Sequence, residues 1–216
     1  MLRKLLIVVV LALLPACSSG GGGEALPAGP DLMKKASEAM KAVKSAGFSI
    51  ATEGKPNVPV KKADGRLTAA GDADGTLTLD VLGTLQEITF AVIGDTVHFK
   101  GPTGGFQTMT RQQLAQFYDP SVILDPAKGI AQLLASATDP KVEALEEGSY
   151  RVATTFPGQA VGRIIPGVTQ GVNGKVWVDR ATSRLTKASL PLPNGSVTVT
   201  VSDYDVPVTI TPPPSG

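Results

Sequence analysis

The chain has 216 residues, 20 Lys and Arg against 19 Asp and Glu, one histidine and one cysteine. The even charge balance leaves no basic excess to attract nucleic acid, and one histidine with one cysteine cannot furnish a zinc site. Aromatic residues make up only 5%, so stacked bases or sugars are not expected, and neither is a cofactor.

The N-terminus reads as a secretory signal. Arg3 and Lys4 precede an apolar run from Leu5 to Leu14, too short to cross a hydrocarbon core of roughly 30 Å. Leu14-Pro15-Ala16-Cys17 resembles the bacterial lipobox, with Pro15 a departure from its commonest pattern. That resemblance implies cleavage before Cys17 and acylation of its thiol. More than one acyl chain is needed for stable anchoring. An ordinary signal with a chance cysteine, or an uncleaved anchor, are the alternatives. Cys17 has no disulfide partner in the chain. The expected organisation is a lipoprotein signal over 1–16, the lipidated cysteine and a Gly-rich tether over 17–30, one folded domain over 31–211, and a Pro-rich tail over 212–216. The expected location is the extracytoplasmic face of a cell membrane, or the cell wall beyond it.

The first folded element is "PDLMKKASEAMKAVKSAG". Leu32, Ala36, Met40 and Val43 recur at helical spacing, Asp31 can cap the start and Gly47 can end it. The period then changes to two. "GFSIATEG" and "RLTAAGDADGTLTLDV" alternate as strands, and "LQEITFAVIGDTVHFKG" reads as a hairpin turning at Gly94-Asp95, with Ile88, Phe90, Val92, Val97 and Phe99 on one face. The middle of the chain breaks this pattern. Asp119-Pro120 and Asp125-Pro126 each suit a helix start, predicting a short helix near 120–123 and a longer one from Pro126 to Ala137. Strands resume at 149–155, at "GKVWVDRATSRLTKASL" and after the Asn194-Gly195 turn, where Val197, Val199 and Val201 share a face. The sum is an α+β fold, a long antiparallel sheet with helices on one face.

Catalytic chemistry finds little support. His98 falls on the polar side of its strand, no Gly-x-Ser-x-Gly elbow is present, and "GDADG" lacks the remaining ligands of a calcium loop. Asp72/Asp74 and Glu146/Glu147 read as solvated turn residues. An aliphatic interior suits acyl chains, whose buried methylenes contribute roughly 0.8 kcal/mol each. Residues serving such a cargo are indistinguishable in sequence from core residues.

"FYDPSVILDPAKGIAQLLASATDPKVE", "KVWVDRATSRL" and "SVTVTVSDYDVPVTITPP", together with the lipobox, resemble the LppX/LprA/LprF/LprG lipoproteins of mycobacteria, most closely the LprG members, from about Leu32 to Pro213. The resemblance implies a LolA-like curved antiparallel half-barrel with helices across its concave face and a hydrophobic cavity between. It also implies di- or triacylated cargo, namely triacylglycerol and phosphatidylinositol-based glycolipids such as lipoarabinomannan precursors. A major-facilitator efflux transporter is the implied partner. On this basis the cavity is expected to be lined by Leu77, Leu79, Ile88, Phe90, Val92, Val97 and Phe99 from the sheet and by Met40, Val43, Ile123, Ile130, Leu133 and Leu134 from the helices. Segment 117–139 is the candidate gate. A scaffold lipoprotein with a filled core, a lipoprotein chaperone of LolA type and a lipid-modifying enzyme using His98 remain the competing classes.

Overall fold

A computed structural model describes residues 25–213 except Leu82, Phe117 and Asp119. The expected signal, Cys17 and the Asp119 cap lie outside the described residues. Helix α1 spans Gly29–Lys41, with Pro30 and Asp31 in its first turn and Lys41 in its last, an order that suits both ends of the helix dipole. Two sequence expectations are corrected here. Asp31 is not the cap, because Ala28 holds that position. Gly47 does not end the helix but lies within β1 (Ser45–Gly54). The chain leaves the helix earlier because the Lys44 amide donates to Asp205 Oδ1 at 2.7 Å and Ser45 Oγ donates to the Val206 carbonyl at 2.7 Å.

Strands β2 (Val60–Thr68), β3 (Ala73–Val81), β4 (Thr84–Ile93), β5 (Thr96–Lys100) and β6 (Gln107–Thr110) follow as a meander. The stretch expected to alternate from Arg66 to Val81 is two strands, split where the Thr68 amide donates to the Asp72 carbonyl and Gly71 adopts φ +89°. Helix α2 (Arg111–Ala115), a 3-10 turn (Pro120–Val122) and helix α3 (Ile130–Ala135) form the central insertion. The expected helix from Pro126 begins only at Ile130. Asp125 Oδ1 accepts the Ala127 and Lys128 amides at 2.8 and 3.1 Å, closing a separate turn. Gly129 then packs so tightly under the Val122 and Ile123 carbonyls that a Cβ would sit 2.2 Å from each.

The second half comprises β7 (Thr138–Glu146), β8 (Ser149–Phe156), helix α4 (Gly158–Ile164), β9 (Val172–Asp179), β10 (Leu185–Leu192) and β11 (Gly195–Ser202). All eleven strands form one antiparallel sheet in the order β6-β5-β4-β3-β2-β1-β11-β10-β9-β8-β7. The pairing of β1 with β11 joins the two halves. The hairpin expected at Gly94-Asp95 is present, with Phe90 opposite Phe99 and Val92 opposite Val97.

Register carries one apolar face across the sheet. Ala46, Leu67, Ala73, Val92, Val97 and Met109 stand opposite one another in a row. Phe48, Gly65, Gly75, Phe90 and Phe99 form the next. The first row joins Leu32, Met33, Ala36 and Met40 of α1, Ile130, Leu133 and Leu134 of α3, and Val161 of α4 in a single core. The helices therefore cover this face. The other face is polar: Arg151 and Lys175 meet Glu143 at 2.8 and 2.9 Å, and Lys187 lies 4.6 Å from the centre of the Trp177 ring.

Candidate functional site

The sheet residues chosen from sequence all share the helix-covered face, and the structure divides them by burial. Val92 and Val97, in the row nearest the helical insertion, are 1% and 3% exposed. They pack with Met40, Val43, Ile130, Leu133 and Leu134 in the closed core. One row further out, Phe90 is half-buried against that core, as is Ile123 of the insertion. Leu77, Leu79, Ile88 and Phe99 are also half-buried, but they stand beyond the core. The result is an apolar tract over β3, β4 and β5 that the helices leave partly open.

Ile50 and Ala63 extend this tract, since Ile50 pairs with Ala63, Ala63 with Leu77 and Leu77 with Ile88. Sequence reasoning passed over both, although Ile50 alternates with Phe48. It also missed α4 and the residues after it, where Ile164, Ile165 and Val168 pack on the core. The spacing of Val161, Ile164 and Ile165 was the available signal.

The helical cover is tied together by side chains. Buried Ser37 Oγ on α1 donates to the Ala131 carbonyl on α3 at 2.9 Å. Thr110 and Gln113 close a capping box at the start of α2. Asp72 accepts the Gly94 amide at 2.9 Å and lies 3.7 Å from Arg111, joining two turns.

A concavity of about 710 Å³ lies across β1 to β4 and β11. Ser49, Asp64, Arg66, Asp74 and Thr200 line it, with Phe106 and Thr211. Most of these residues alternate onto the polar face. Of the residues expected to line a cavity, Phe90 alone reaches this groove. Arg66 Nε donates to Asp74 Oδ1 at 3.0 Å, and this bond, then the Asp74 charge, holds the guanidinium more firmly protonated. Hydrogen bonds from Ser49 and then Lys62 hold the Asp64 carboxyl below its usual range. His98 stands on this polar face in register with Ala91 and Thr108. Asp72, Asp74 and Glu146 are all engaged in structural contacts with Arg111, Arg66 and Arg151.

Residues 28–210 match the family model for the LppX_LprAFG lipoprotein. The chain belongs to that family. Among its relatives, the lipoarabinomannan carrier protein LprG of Mycolicibacterium smegmatis is 31% identical over 198 residues, covering 87% of this chain and 84% of the relative. The protein of the same name from Mycobacterium tuberculosis is 30% identical over 208 residues, covering 89% and 85%. The crystal structure of LprF from Mycobacterium bovis superposes with a TM-score of 0.76 at 20% identity, over 87% of this chain and 97% of that one. LppX from Mycobacterium tuberculosis gives 0.63 at 22%, over 84% and 99%. These two establish that the lipoprotein shares their fold. Among the described residues, no helix is long and apolar enough to cross a membrane.

Proposed function

We propose that this lipoprotein is a non-catalytic carrier of acylated lipids, held at the extracytoplasmic face of the membrane through acylated Cys17. The observation that carries the reading is the tract of Leu77, Leu79, Ile88 and Phe99, half-buried on the helix-covered face yet outside the closed core. Acyl chains need apolar area and no polar partner. At roughly 0.8 kcal/mol per buried methylene, one chain of ordinary length gains on the order of 10 kcal/mol gross. Acyl chains lie along this tract beside segment 117–139, the candidate gate, and the headgroup stays at the rim. Two relatives named as lipoarabinomannan carriers support a glycolipid cargo. Triacylglycerol and phosphatidylinositol-based glycolipids are the cargo classes, and a major-facilitator efflux transporter is the partner that drives onward movement.

The test is native mass spectrometry of the full protein purified from a mycobacterial host, followed by solvent extraction. Acylated lipid at about one per chain is the expected result. A lipid-free mass that stays unchanged after incubation with triacylglycerol and with phosphatidylinositol glycolipid refutes the carrier reading.

A further inference from the structure

The tip of the β3–β4 hairpin is an exposed apolar point at the open end of the sheet. Val81 is 43% exposed and Leu85 64%, and the sequence from Val81 to Leu85 carries no charge. The nearest carboxylate, Asp80, stands opposite Leu85 and is engaged at the base of the tip: its Oδ1 accepts the Gly83 amide at 2.8 Å, and Oδ2 lies 3.8 Å from Lys61 Nζ. Val81 continues the alternation of Leu77 and Leu79 and is the outer end of the apolar tract described above, while Leu85 stands opposite Asp80 on the other face of the hairpin.

Register places this tip at the same end of the strands as the N-terminal entry. Lys141 pairs with Ala153, Ala153 with Lys175, Lys175 with Ser189 and Ser189 with Thr198. The rung continues through Ala51, Lys62 and Thr78 to Glu87. Pro140 and Asp80 both lie beyond that rung, on the same side. Gly29, the first residue of α1, packs directly on the Pro140 carbonyl. The described chain begins four residues earlier at Ala25 and includes a third exposed aliphatic, Leu26. Cys17 is eight residues before Ala25, a stretch that spans at most about 28 Å. The remaining exposed large aliphatics among the described residues, Leu145 and Val206, lie singly toward the other end.

We infer that the β3–β4 tip is a docking point for a lipid bilayer, through which the carrier takes up and releases its cargo. The inference rests on the carrier reading. An anchor at Cys17 holds this end of the sheet toward the membrane. Val81 and Leu85 enter the interface while the Asp80 carboxylate stays bound to the Gly83 amide and beside Lys61 at the base of the tip. The tract then receives acyl chains at its outer end without their crossing water.

The test uses the mature acylated protein in vesicles of phosphatidylglycerol and phosphatidylethanolamine with brominated acyl chains. Leu85→Trp is expected to be quenched several-fold more than Thr76→Trp, on the outer face of the same hairpin, after the parent Trp177 signal is subtracted. Equal, weak quenching at both sites overturns the docking proposal. Leu85→Ser, which changes no residue of the tract, is expected to slow lipid uptake from vesicles several-fold while lipid bound at the end of uptake matches the parent. An unchanged uptake rate counts against docking. Quenching at Leu85→Trp in a protein that takes up no lipid supports docking and sinks the carrier reading; lipid uptake without quenching does the reverse.

Discussion

Two facing glycines set the spacing of the sheet where the apolar tract begins. Gly65 and Gly75 stand opposite each other, between Phe48 and Phe90 in the same row. A Cβ on Gly65 would lie 2.3 Å from the Asp74 carbonyl and 3.0 Å from Phe48 Cζ, and one on Gly75 2.2 Å from the Asp64 carbonyl. The Phe48 ring therefore occupies the space that a side chain at Gly65 would need. Gly65→Val is expected to destabilise by about 1–3 kcal/mol through overpacking, read as a lower urea midpoint at unchanged slope. An unaltered midpoint would show that the row has room. Asp205 ties the start of β1 to the residue before β10 in the middle of the sheet. Its carboxylate accepts the Lys44 amide and pairs with Arg184, and its own amide donates to the Ser45 carbonyl. The Lys44 amide, and after it Arg184, hold this carboxyl below the usual range. The stabilisation is therefore complete above the unfolded-chain value and is lost as pH falls through the lower folded value. The stability gap between the parent and Asp205→Asn is expected to narrow on acidification from about pH 5 toward about pH 2. A gap constant over that range would remove the carboxylate from the acid response.

The helical elements act as a cover whose attachment can be measured. Ser37 and Ala131 form a buried hydrogen bond between α1 and α3. Ser37→Ala is expected to cost about 1 kcal/mol and, with segment 117–139 as the gate, to speed lipid uptake. Slower uptake at equal folded population would contradict that gate. The same elements show what local pattern can and cannot reveal. The hairpins at Gly94-Asp95 and Asn194-Gly195 were legible because period-two alternation and turn residues lie within a few positions of each other. The start of α3 was not, because it depends on Asp125 closing its own turn and on Gly129 meeting the Val122 and Ile123 carbonyls. Strand β7 was hidden by composition. As an edge strand it carries Asp139, Lys141 and Glu143 and departs from regular register twice, devices that discourage pairing with another chain and blunt the alternation. Helix α4 is only seven residues long, too short to display a full amphipathic period against its neighbours.

At the scale of the whole molecule, alternation was enough to identify the covered face, since Leu77, Ile88 and Phe90 do share it with Val92. It could not separate packed positions from open ones, because that boundary depends on how far α1, α3 and α4 reach across an eleven-stranded sheet. Val92, at 1% exposed, belongs to the packed side, so a larger residue there strains the core rather than filling a lipid path. The division makes a prediction about where cargo acts. A lipid that binds only the folded chain raises its apparent stability by mass action, about 2.7 kcal/mol at a hundred times the dissociation constant. That gain should not be spread evenly. The amides of β3, β4 and β5 around Leu77, Ile88 and Phe99 border the partly open tract and are expected to gain hydrogen-exchange protection when lipid is added. Those of β8 to β10, whose Val152, Val176 and Leu190 are already closed in the core, are expected to change little. Protection rising equally in both halves would mean that lipid tightens the sheet as a whole. Protection rising only in β8 to β10 would place the cargo under α4 instead and displace the tract as its site.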